Sequence, residues 1–242
     1  MKTVIVGAVA SLIVVFSVLY SDPIALRAYT KGTCAAIVAA IVLSSVLLNY
    51  LVLGADSVMP AVLASVIYPV LAALVLNASA VTRIKKAADG IVLTGNASQA
   101  VDELGKMYSR TGERLRGNET ALCAYYAFAL CENDDAQAAL KLLDRLDGLK
   151  CSADIKCFAE FTRLRIAAET GDPAIVARQA AWLTGLSEGT HKNKRAQRYI
   201  ALAQLWLRVY NGDARGAENE CLELFPESRF YCEKLMKIKK DD

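Results

Sequence analysis

The first eighty residues of this chain are almost without charge, and no other feature constrains the fold as strongly. Residues 1–80 contain three basic side chains (Lys2, Arg27, Lys31) and two acidic ones (Asp22, Asp56). Residues 81–242 hold 25 of the 28 Lys and Arg and 23 of the 25 Asp and Glu. Three uncharged runs divide the first part: Thr3–Ser21, Gly32–Ala55 and Ser57–Thr82. A helix crosses a bilayer core with roughly 20 apolar residues, because lipid leaves every backbone polar group to be satisfied internally. Segment 1–82 therefore reads as a transmembrane anchor of three helices, with spans at 3–21, 33–54 and 58–80. A cleaved signal peptide competes for the first run. Its basic region is Lys2 alone and "FSVLYSDP" has no small-x-small cleavage pattern, so a retained helix is expected.

Loop charges orient the anchor. With three spans, the amino terminus shares a side with the "GADSVMP" loop, and that side has only Lys2. The other side has Arg27, Lys31, Arg83, Lys85 and Lys86. Basic residues accumulate on the cytoplasmic side, so a multi-pass protein of the plasma membrane with a cytoplasmic C-terminal domain is expected. Arg83, Lys85 and Lys86 stand directly beside the third run and are the residues expected to contact anionic lipid. Seven cysteines, an odd number, also suit a reducing compartment. No CxxC occurs and His191 is the only histidine, so no metal site and no cofactor are expected.

Residues 83–242 show no alternating strand pattern. Helical spacing of Ala, Leu, Arg and Glu is interrupted at "LTGN", "ENDD", "ETGD" and "YNGD", turns that end one helix and cap the next. The final residues of those turns are Asn96, Asp135, Asp172 and Asp213, at intervals of 39, 37 and 41 residues. Four positions later stand Ala100, Ala139, Val176 and Ala217; eight later, Leu104, Leu143, Ala180 and Cys221; eleven later, Met107, Leu146, Leu183 and Leu224. Small, apolar, then mostly large apolar residues on one face, repeated four times, predict stacked helix–turn–helix units. "ESRFYCEKLMKIKKDD" follows as a capping helix, with Phe230, Leu235 and Ile238 toward the last unit.

On these residues the chain resembles the tetratricopeptide repeat family, over about residues 84–232. Ala139 and Ala217 match the small residue after the inter-helix turn, Pro226 the closing proline, and Ala88 and Ala127 the small residue of the first helix. Leu164 and Leu205 depart from that last position, and the spacing exceeds the family's roughly 34 residues. The expected fold is all-α: a three-helix membrane segment followed by an α-solenoid of helical hairpins. What the resemblance implies is a concave face that binds protein segments, formed here by Phe128, Phe158, Phe161, Arg165, Tyr199, Leu202 and Trp206. The competing reading puts the same side chains in the core between repeats.

No catalytic motif is present: no HExxH, no GxSxG and no phosphate-binding glycine loop occurs. The expected function is a membrane-anchored scaffold for a protein or peptide partner, within a membrane-protein complex or a homo-oligomer. With a surplus of only two positive charges over residues 81–242, nucleic acid is not an expected partner. A membrane-surface enzyme built near Asp22 and Asp89 and an extracytoplasmic domain of reversed topology are the alternatives. The seam "NASAVTRIKKAADG" is expected to be helical, with Gly90 its weak point.

Overall fold

The computed structural model describes residues 2–52, 63–186, 193–226 and 229–238, and among them helices are the only regular structure. The "GADSVMP" loop and His191 lie outside the described residues. The chain divides into two compact units. One comprises Met1–Lys85 with Lys106–Leu122; the other comprises Lys86–Gly105 with Cys123–Asp242. The expected boundary at residue 82 lies close to the first cut. Segment 106–122, read from the sequence as part of the repeat domain, belongs to the first unit.

In the first unit, α1 (Lys2–Ser21) stops where Asp22 precedes Pro23, a residue that has no N–H to extend the ladder. A short α2 (Ile24–Ala28) leads to α3 (Lys31–Val52). Thr30 starts α3, its hydroxyl accepting the Thr33 N–H at 3.2 Å. A π-helical turn, Leu63–Ile67, runs into α4 (Tyr68–Thr94). Two helical stretches are long and apolar enough to cross a membrane, Lys31–Leu51 with 21 residues and Leu63–Thr94 with 32, and Val6–Ser21 is a shorter apolar stretch. The expected seam is one unbroken helix to Thr94, and Gly90 does not interrupt it.

The unit buries a polar group beside apolar residues such as Leu19, Ile24 and Ile84, and leaves many large apolar side chains outside. Val6, Ile13 and Phe16 of α1, Leu43, Leu47 and Leu51 of α3, and Leu71 and Val75 of α4 are exposed, while Ser11, Ser45, Asn49 and Ser65 are buried. Pro69 accounts for much of this polar interior. It has no N–H for the carbonyl four residues back, Ser65, nor for the one five residues back, Ala64. Those two carbonyls receive side-chain hydroxyls instead. Ser11 Oγ donates to Ser65 O at 3.0 Å and Ser45 Oγ to Ala64 O at 2.5 Å, and the two hydroxyls touch at 2.6 Å. Asn49 completes the knot, donating to Ser45 O and accepting from Ser65 Oγ. Gly7 lets α1 approach, since a Cβ there would lie 3.0 Å from the Asn49 amide.

The second unit contains the end of α4, then α5 (Ala97–Tyr108), α6 (Glu119–Glu132), α7 (Ala136–Asp144), α8 (Ala153–Thr170), α9 (Pro173–Leu186), α10 (Lys194–Tyr210), α11 (Ala217–Leu224) and α12 (Phe230–Lys237). All four expected turns separate helices. Gly95, Gly171 and Gly212 take positive φ there, and Asp134 adopts the same left-handed conformation (φ 62°) in the "ENDD" turn. The next residue caps the following helix: Asp135 accepts from Ala138 N, and Asp172 from Ala174 N and Ile175 N. Ala100, Ala139, Val176 and Ala217 are buried, as are Leu104, Leu143 and Cys221. Helix α8 packs on α7, α9 and α10; α10 on α11; and α11 on α12.

Candidate functional site

Arg165 lies at the centre of the second unit and is 0% exposed. It projects from α8 into an ion pair with Glu132, the last residue of α6, whose side chain is only 2% exposed. Its Nη2 meets Glu169 Oε1 at 3.2 Å, one helical turn further along α8. From α12, Lys234 Nζ reaches the other Glu132 oxygen at 3.0 Å, with its own side chain 29% exposed. Two cations and two carboxylates thus form a balanced cluster. Aromatic faces enclose the guanidinium: Phe128 at 5.8 Å, Trp206 at 5.5 Å and Phe230 at 5.9 Å from its carbon. Burial, the largest single influence, would lower the Arg165 pKa, but Glu132, Cys131 and Glu169 together outweigh it and raise the value above the ordinary one. Arg165 stays charged.

The aromatic residues are contiguous. Phe158 packs at a tilt against Tyr125, Phe128 and Tyr199 with centroids 5.1, 5.3 and 5.1 Å away. Phe161 meets Trp206 edge-on at 5.4 Å and Tyr231 of α12 at 5.8 Å. Tyr231 in turn lies 4.9 Å from Phe225. Burial raises the Tyr231 and Tyr199 hydroxyls above their ordinary pKa. These distances describe a packed interior with one end covered by α12.

The sequence-derived groove therefore needs a correction. Phe128, Phe158, Phe161, Arg165, Leu202 and Trp206 are buried, and Tyr199 is half-buried. The structure does bring all seven together, but as a core rather than an open concave face. Helix α12 supplies Phe230, Tyr231 and Lys234 where a bound segment was expected. Sequence reasoning missed Glu132, whose only local sign is its position. A carboxylate at a helix C-terminus faces the negative end of the dipole, so it gains from a cation brought from elsewhere.

Nothing in this cluster is poised for bond chemistry. Burial pushes the neighbouring Cys131 thiol up to about 12, against the opposing pull of Arg165, so a thiolate is not available near neutral pH. Cys157 and Cys221 are likewise raised by burial, to about 11 and about 12. All seven cysteines are free thiols, and Cys151 alone is not buried.

In the first unit, segment 106–122 binds the turn between α1 and α3. Both Asp22 carboxylate oxygens accept from Asn118, at 3.0 and 2.6 Å, and Asn77 donates to the Asp22 carbonyl at 3.0 Å. Gly117 (φ 50°) passes so close that a Cβ would lie 2.7 Å from the Asp22 carboxyl carbon. Arg27 pairs with Glu119 at 2.7 Å, and Arg110 donates to the carbonyls of Arg27 and Tyr29. Asp22 is thus held as a structural tie, each of its oxygens accepting a bond from Asn118. Of the cations expected to meet lipid, Arg83 is exposed and donates to Ala28 O at 2.9 Å. Lys85 is half-buried and Lys86 is exposed.

Compared with known proteins, the chain matches no protein-family model, no curated protein and no solved structure.

Proposed function

We propose that this chain is a membrane-anchored scaffold: three membrane helices hold a tetratricopeptide-like helical domain at the cytoplasmic face of the plasma membrane, where it binds a protein partner. The observation that carries this reading is the inverted first unit. Its hydroxyls and amides face one another while many large apolar side chains, Phe16, Leu43, Leu47, Leu51 and Leu71 among them, face outward. Water would oppose that arrangement and lipid favours it. Orientation rests on the basic residues Arg27, Lys31, Arg83 and Lys85, joined in the same unit by Arg110, Arg114 and Arg116.

The partner-binding face is the one α12 covers. An eight-residue helix is a small closure, and its Lys234 contact is with a carboxylate that gains hydration on opening. A segment able to replace it would carry an aromatic pair followed by a cation, as "FYCEK" does. Tethering raises the local concentration of the domain without any new contact.

Cys151 is the natural reporter for topology because the other cysteines are buried. An impermeant maleimide should label Cys151 only after the cells are broken. Equal labelling of intact cells would reverse the assigned orientation. For binding, crosslinking in membranes should yield partners that Lys234→Glu changes in amount. An unchanged set of partners would count against the α12 face.

A further inference from the structure

We propose that the first unit holds one anionic glycerophospholipid in a groove between α1 and α3, with its phosphate at Arg27, Lys31 and Arg110. This rests on the membrane reading above and adds a specific ligand to it. The groove encloses about 1240 Å³. Small residues of α3, Cys34, Ala35 and Ala39, form its floor, and Leu12, Phe16 and Leu43 line its sides. From Lys31 to Leu43 the groove follows α3 for about 18 Å at helical rise. That is close to half of a hydrocarbon core of about 30 Å, the depth of one leaflet.

The two ends differ in chemistry, and the difference sets the direction of the ligand. At the Leu43 end the lining is wholly apolar. At the other end Arg27, Lys31 and Arg110 stand together with the Thr30 hydroxyl. Lys31 and Arg110 are exposed. Among the described residues, the carboxylate paired with Arg27 is Glu119, through Nε at 2.7 Å, so the three cations keep a surplus of positive charge. Arg110 is held in place by its bonds to the Arg27 and Tyr29 carbonyls. A second recess of about 410 Å³ shares Leu19, Leu26 and Arg27 with the groove and adds Arg114, Arg116 and Glu113. It offers mixed charge and room for the polar part of a glycerol headgroup. An acyl chain therefore lies along α3 with its phosphate at the cations, and a zwitterionic headgroup would bring its own cation into a basic mouth.

The test uses the full chain, purified in mild detergent, with native mass spectrometry after addition of phosphatidylglycerol or phosphatidylcholine at equal mole ratio. A single phosphatidylglycerol adduct should survive activation that strips phosphatidylcholine. Lys31→Glu should lower its retention about tenfold, since each basic residue near the headgroups contributes appreciably and the change reverses a charge. Ala39→Trp fills the floor and leaves every charge in place, and it should remove the adduct as well. Glycerol 3-phosphate, which has the phosphate and no chain, should not bind. Circular dichroism and gel filtration confirm that each variant is folded. Equal retention of the two lipids, or an adduct that persists in both variants, would overturn the site and leave lipid only as surrounding solvent. Alkaline carbonate extraction separates the two proposals. A chain that stays with the membrane but shows no lipid preference loses the site alone, whereas one released by carbonate loses the membrane anchor too.

Discussion

Both units bury polar groups, and they do so for opposite reasons. In the first, four neutral side chains meet inside and satisfy one another, as the proposed lipid surroundings would require. Two of the four also repair the backbone that Pro69 leaves open. In the second, Arg165 and Glu132 form an ion pair inside the domain, and burial costs each of them its hydration. They persist because every charge has a partner and the guanidinium is enclosed by three rings. Where a polar interior is the cheapest arrangement available, neutral groups suffice. Where it is an expensive one, the cluster must be complete.

That contrast can be broken most severely at Arg165. Arg165→Met leaves Glu132 buried with only Lys234, and the second unit should lose about 3–5 kcal/mol. Both tryptophans, Trp182 and Trp206, belong to that unit, so fluorescence during denaturant unfolding reads it selectively. Adding Glu132→Leu should restore most of the loss, because Lys234 is partly exposed and can return to water. A double variant no more stable than the single one would show that the charges themselves hold the unit together.

Alkaline pH offers the next contrast. Burial raises Cys131 and Cys221 to about 12 and Cys157 to about 11, from an ordinary value near 9. Each of these thiols holds its proton in the fold to a higher pH than in the unfolded chain. Their contribution is therefore complete below pH 9 and falls as pH rises through the folded values. Each thiol adds a slope of up to about 1.4 kcal/mol per pH unit in that window. Cys131→Ala should flatten the fall measured between pH 9 and 11, and an unchanged slope would remove Cys131 from the account.

The first unit should respond more gently. Ser45→Ala strands the Ala64 carbonyl, for about 1–2 kcal/mol at most. The cost should shrink when Pro69→Ala restores an N–H. A double-mutant cycle read by thermal unfolding in micelles measures that coupling, and zero coupling would separate the hydroxyls from the proline. The smallest change is a gain. Asp134 sits at φ 62° where the other three turns have glycine, so Asp134→Gly should stabilise the second unit by about 0.5–1 kcal/mol. A loss would mean that the Asp134 side chain contributes more than its strain costs.

Legibility in the sequence followed the range of the interactions. The turn residues Asn96, Asp135, Asp172 and Asp213 were readable because capping and left-handed glycines act within a few positions. The inward faces of α7 and α11 were readable from spacing alone, down to the burial of Ala139 and Ala217. Segment 106–122 was not. Its attachment depends on Gly117 and Asn118 meeting Asp22, and neither residue has a local pattern that points there. The candidate site fell between these cases. Its seven residues lie together in the second unit, yet the spacing of Phe161, Arg165, Tyr199 and Trp206 is the same for a core and for a groove.

By itself, the sequence determined an all-helical chain, its turn positions and an apolar first third, since composition and short-range chemistry decide all three. Tertiary structure alone decided that Arg165 is enclosed, that Glu132 and Lys234 complete its charge balance, and that Ser11 and Ser45 answer the carbonyls freed by Pro69. A helical period assigns a residue to a face. Which groups meet that face depends on helices distant in the chain, and their mutual desolvation exists only once they pack.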